Sequence, residues 1–215
     1  QLAHLRTAPV ADVDLSAESP KLGATELGEK LSYRRARELD EAGKTREARD
    51  AYLECATRFP YPQGAYWDDA LLRAAEKELA LGDAKAAIRH LERMLAEQES
   101  AIITGSYERG RYAQAQLEIA KISRDVLHDD ARARRELRKV WEKHPRSTLV
   151  DDALFQEALL ARNARDEAGT CAPLAIIVKQ LPDSRYAACA HLLCAKLAAT
   201  SNACHDYIKR AAGLP

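Results

Sequence analysis

The chain has 215 residues, enough for one domain or one elongated array, and carries 33 basic against 33 acidic side chains. That balance excludes the basic excess by which nucleic-acid binders release counterions, and no run approaches the roughly 18 apolar residues of a membrane span. Hydrophobic residues make up 47%, but mostly as Ala and Leu, with two Phe and one Met; beside 31% charged residues this predicts an all-α chain whose alanines let helices approach closely.

Residues 1–28 show no sustained helical period, since Pro9, Pro20 and Gly23 interrupt them. They are expected to form an extended or disordered lead-in, with any helix at 24–29 being the start of the first repeat. There is no signal peptide, and a chain opening at Gln1 is expected to be a processed form or a fragment. From residue 32 to Pro60 the sequence predicts two short amphipathic helices joined by a turn at Gly43. Ala36 sits in the first; Ala48, Tyr52 and Cys55 come at helical spacing in the second. This ladder returns as Ala75, Ala87, Leu91 and Met94 around a turn at Gly82–Asp83. It returns again as Ala120, Ala133, Leu137 and Val140 before Pro145, and as Ala158, Thr170, Leu174 and Ile177 before Pro182. Ala48 to Ala87 spans 39 residues and Ala87 to Ala133 spans 46, with longer loops at 60–65 and 100–110 taking up the excess. A shortened fifth hairpin is expected from 184 onward: a helix over 185–199, a turn at 200–202 and a capping stub at 204–212.

The ladder resembles the tetratricopeptide-type helical hairpin. Each copy has an apolar face that needs a neighbour, so residues 29–215 are expected to stack four to five antiparallel hairpins into a right-handed superhelix, an α-solenoid. The joints carry a further pattern. Pro60 leads to YWDDALLRAA, Pro145 to RSTLVDDALFQEA and Pro182 to DSRYAACAHLLCA. Over residues 29–200 this style is similar to the envelope-type tetratricopeptide proteins of Gram-negative bacteria, such as the lipoprotein of the β-barrel assembly machinery and the coordinator associated with Tol–Pal. The resemblance implies a non-enzymatic adaptor in the periplasm or at the outer membrane, a cytoplasmic accessory being the alternative. No lipid-bearing cysteine lies near Gln1.

Catalytic signals are absent from the sequence. The six histidines show no i, i+3 or i+4 pairing and no zinc spacing, so no metal or cofactor is expected; His128-Asp129-Asp130, in a turn, is the one cluster worth naming. The pairs Asp68–Asp69, Asp129–Asp130 and Asp151–Asp152 fall at helix starts, where carboxylates cap free N–H groups and meet the helix dipole. Cys55 reads as a small core residue. Cys171 and Cys194 lie eleven residues before and twelve after Pro182 and share faces with Leu174 and Ala190, so a Cys171–Cys194 disulfide is expected, with Cys194–Cys204 as its rival and buried free thiols as the alternative. A bridge implies an oxidising compartment.

In such arrays the first helix of each hairpin lines a concave groove. Those places hold Tyr33 and Arg37, then Leu72 and Glu76, then Leu117, Lys121 and Arg124, then Phe155, Leu159 and Arg162. Aromatic and aliphatic anchors among alternating charges suit a partner protein's peptide or helix. A structural subunit docking through its termini and loops is the second expectation. Tyr66 and Trp67 are expected to pack between the first two hairpins, an exposed patch being the alternative.

Overall fold

The computed structural model describes residues 23, 25–97, 99–101, 105–107 and 110–194. The expectations for 1–22, for the stub at 204–212 and for Cys204 lie outside them. The described residues are all-helical apart from one small ribbon. The helices are α1 (Glu26–Glu41), α2 (Thr45–Arg58), α3 (Trp67–Ala80), α4 (Ala84–Ala96), α5 (Tyr112–Asp125), α6 (Asp130–Lys143), α7 (Val150–Asn163), α8 (Glu167–Gln180) and α9 (Ala187–Cys194). Where a long loop was expected after α4, strands β1 (Glu99–Ala101) and β2 (Gly105–Tyr107) pair antiparallel, with Ser100 opposite Ser106. The chain divides into two compact units, Gln1–Arg111 and Tyr112–Pro215. Within each, every helix packs against its sequence neighbours: α1 on α2, α2 on α3 and α3 on α4 in the first, and likewise from α5 through α9 in the second.

The hairpins share one local grammar. Where the first helix turns into the second, the backbone enters the left-handed region: Gly43 (φ 70°), Gly82 (φ 85°), His128 (φ 53°) and Arg165 (φ 58°) each lie five residues before a ladder residue of the second helix. The next residue is the N-cap. Asp83 accepts from Ala86 N, Asp129 from Arg132 N and Asp166 from Gly169 N, each at 2.8 Å, satisfying donors the helix cannot pair internally. Lys44 holds the same place before α2 and makes no side-chain cap. His128 and Asp129 are thus turn and cap residues, which accounts for the one histidine cluster singled out from the sequence.

The ladder itself forms the core. Ala36, Ala75, Ala120 and Ala158 of the first helices are buried, as are Ala48, Ala87, Ala133 and Thr170 opening the second helices. One turn further, Tyr52, Leu91, Leu137 and Leu174 are buried, then Cys55, Met94, Val140 and Ile177. Small residues at the crossing points allow the close approach, and the larger rungs fill the space beside them. Trp67 is 2% exposed and packs on Tyr61 with ring centroids 5.5 Å apart, so it serves the joint between the first two hairpins. Gly64 is required there, because a β-carbon would collide with the Phe59 carbonyl. The short helix foreseen at 24–29 is the first turn of α1, capped by Thr25 Oγ1 on Gly28 N.

A candidate binding cavity on the first two hairpins

In the first unit, α1 carries Tyr33, Arg37 and Glu41 at successive i, i+4 positions, one face of a helix. Packed through α2, α3 contributes Asp69 and Arg73 at the same spacing. Between them lies a cavity of about 390 Å³, backed by Tyr52 of α2 and bordered by Asp40 and Arg111.

Its inner layer is internally paired, with Asp69 Oδ1 held by an ion pair and no hydrogen bond. The Tyr33 hydroxyl donates to Asp69 Oδ2, and its ring stacks on Tyr66 at 4.6 Å and leans on Tyr52 at 5.8 Å. Asp69 Oδ1 also meets Arg111 Nη2 at 2.7 Å. The Tyr52 hydroxyl donates to Asp40 Oδ2 at 3.4 Å, and Lys77 Nζ reaches Asp40 Oδ1 at 2.5 Å. Burial first, and then the neighbouring Asp69 or Asp40 carboxylate, pushes both phenols well above their ordinary pKa. They are fixed as donors and do not supply a base at neutral pH.

The outer layer is looser. Arg37 Nη2 donates to Glu41 Oε1 at 2.8 Å, and Arg73 Nη1 donates to Glu76 Oε2 at 3.1 Å, each pair lying within one helix. The side chains of Arg37 and Glu41 are 59% and 65% exposed, against 17% for Asp69 and 24% for Asp40. Recessed acids and tyrosines therefore hold a rim of solvent-facing opposite charges. That arrangement can recognise polar groups by hydrogen bonds and charge.

Of the ten residues expected in a groove, Tyr33 and Arg37 line this cavity, and Glu76, outside its lining, accepts from the lining residue Arg73. Lys121 pairs with Glu118 at 2.7 Å, Arg124 with Asp125 at 2.6 Å and Gln156 at 3.1 Å, and Arg162 is exposed; these belong to the second unit. Leu72, Leu117, Phe155 and Leu159 are buried and present no anchor to a ligand. Each lies three before or one after a ladder alanine, the same offsets as Tyr33 and Arg37, so the neighbour packed over the position and not the offset decides whether it is open. The aspartate pairs also need correction. Only Asp129 caps. The N-caps of α3 and α7 are Tyr66 and Leu149, which make no side-chain cap, and the aspartates just after them tie first helices together. In the second unit Asp152 Oδ1 accepts from the Tyr186 hydroxyl at 2.5 Å and from Arg185, while Asp151 Oδ2 accepts from Ser184 Oγ at 2.8 Å. The roles of Asp69, Arg73 and Arg111 were missed; the i, i+4 repetition of charge at 37/41 and 69/73 was the available signal.

Cys55 is a free, buried thiol whose pKa is pushed up to about 11 by burial, so it is not a nucleophile at neutral pH. The side chain of Cys194 lies outside the described residues. Among the described residues no group of three or more His, Cys, Asp or Glu is placed to hold a metal, and no helix is long and apolar enough to cross a membrane. Comparison with protein-family models finds no match to the chain, and none of the curated proteins matches it either.

Proposed function

We propose that the chain is a tetratricopeptide-like α-solenoid, its hairpins continuing into a right-handed superhelix, and that it acts without catalysis as an interaction scaffold for a peptide or helix of another protein. The observation that carries this reading is the cavity of about 390 Å³ on the first helices of the first two hairpins, where Tyr33 and Arg37 stand over an internally paired polar floor. Preorganised donors with exposed charges at the rim favour recognition and offer no activated nucleophile. The style of the joints supports a place in the bacterial cell envelope. In the same reading Cys171 is bridged to Cys194, as an oxidising periplasm allows; intact mass after alkylation without reductant tests this, and five alkylated cysteines would sink it.

The functional test is cross-linked capture from the native organism with the wild-type chain and a Tyr33→Ala/Arg37→Glu/Arg73→Glu variant that keeps its helical circular dichroism. A partner enriched by the wild type and lost with the variant supports the scaffold. Partners that survive the variant overturn the cavity as the working surface.

A further inference from the structure

The cavity is electrically balanced, and how the balance is built limits what it takes. Asp69 is shared by Tyr33 and Arg111, and Asp40 by Tyr52 and Lys77, so neither acid can turn to a ligand without abandoning partners in the recessed layer. The rim pairs differ. Arg37–Glu41 on α1 and Arg73–Glu76 on α3 are one-turn pairs with side chains 38–65% exposed. Exposed pairs of this kind are weak and open by rotamer changes alone, without moving the backbone. On α1 both Arg37 and Glu41 line the cavity and can trade their partner for an external one; on α3 Arg73 lines it, its Nε also 3.9 Å from Asp69 Oδ2, and Glu76 stands just behind it as the partner it can release.

From this we infer that the cavity binds an extended segment of a partner protein carrying one acidic and one basic side chain two residues apart. Side chains at that spacing lie on the same side of an extended chain, about 7 Å apart, so both reach one rim. Opposite charges exchange with Arg37 or Arg73 and with Glu41 or Glu76, whereas a polyanion or a polycation meets repulsion from half the rim. The half-buried ring of Tyr33 supplies the contact between them. The inference rests on the interaction proposed for this cavity, yet the two fail separately, because short synthetic peptides test it without any cellular partner.

Three capped pentapeptides, Ala-Glu-Ala-Lys-Ala and its two-glutamate and two-lysine counterparts, would be titrated into the isotope-labelled full chain while amide shifts are tracked. The mixed peptide should perturb Tyr33, Arg37 and Arg73 and bind at least about threefold tighter than either like-charged one. Arg37→Gln/Arg73→Gln should swing the preference to two lysines, and Glu41→Gln/Glu76→Gln to two glutamates. This reciprocal swing is not expected from mere destabilisation. Equal or tighter binding of the two-glutamate peptide by the wild type would overturn the inference in favour of a plain anion site. Tighter binding of two lysines, no shifts near Tyr33 for any peptide, or variants that lose the mixed peptide without a swing would overturn it as well. If capture from cells is sensitive to the cavity variant while the three peptides bind alike, only the charge inference falls.

Discussion

In the first unit the residue three before the ladder alanine, Tyr33, is half-buried and faces a water-accessible cavity. In the second its counterpart Phe155 is fully buried and stacks on Tyr186, with ring centroids 4.3 Å apart and planes 11° from parallel. The aspartate six before the alanine takes part in both places but reaches in opposite directions, Asp69 back to Tyr33 and Asp152 forward to Tyr186. One repeat grammar therefore yields two surfaces. Where the aromatic hydroxyl comes from the earlier helix, a polar cavity stays open; where it comes from Tyr186, in the turn just before α9, two rings close over an apolar core of Leu154, Leu174, Ile177 and Leu193.

The largest effect that separates the two regions is the loss of those rings. Phe155→Ala should cost about 3–5 kcal/mol, since it empties a fully enclosed site. Tyr33→Ala should cost less, about 1–3 kcal/mol, because its ring is only half-buried and the main loss is the donor to Asp69. Urea unfolding of both variants measures the difference, and equal losses would break the distinction between an open and a closed joint.

The turns offer a second contrast. The first unit places Gly43 and Gly82 in the left-handed region, where glycine carries no steric penalty; the second places His128 and Arg165 there, which do. His128→Gly and Arg165→Gly should each stabilise by about 0.5–1 kcal/mol, and Gly82→Ala should destabilise by about 1 kcal/mol. Thermal melts of the three would show the sign reversal. If the glycine variants of the second unit are neutral or destabilised, interactions of His128 and Arg165 in those turns outweigh their backbone strain.

Much of this was legible in the sequence, because alanine and leucine recur at fixed offsets from each turn, and such offsets map directly onto buried helix faces. Every ladder position is a rung of the core. The site was harder to read. Leu72 and Phe155 have the residue types of ligand anchors, yet periodicity gives a direction around one helix and not which neighbour covers it. Tyr52 was read as a rung and proves to be both a rung and the cavity wall. Asp69 looked like a cap, and only the packing of α1 beside α3 shows that it holds Tyr33. Contacts between residues 36 apart leave no local trace.

The caps allow a finer comparison. Asp83 satisfies the start of α4, while Lys44, at the same place before α2, makes no side-chain bond to the helix start. Asp83→Ala should cost about 1 kcal/mol, and Lys44→Asp should add about 0.5–1 kcal/mol by restoring the missing acceptor. Chemical denaturation would read both, and a Lys44→Asp chain no more stable than wild type would mean that the start of α2 is already solvated at no cost.

The smallest effect belongs to Asp166, the cap of α8. Its carboxylate accepts from Gly169 N and from Arg134 Nη2, each at 2.8 Å. The backbone donor first, and then the guanidinium, holds its carboxyl below the ordinary value of 3.8. A folded pKa lower than the unfolded one means the charged form is favoured by folding. That contribution is complete above the unfolded value and drains away as pH falls through the folded one. Asp166→Asn retains a capping oxygen but no charge, so it isolates the ionic part. The gap in melting temperature between wild type and Asp166→Asn should stay constant from pH 7 to about 5 and close below about pH 4. A gap that persists to the lowest pH at which the chain still folds would show that Arg134 meets the cap through shape and hydrogen bonding alone. Asp83→Asn provides the reference: among the described residues no arginine contacts that cap in the way Arg134 contacts Asp166, so its gap should be smaller throughout.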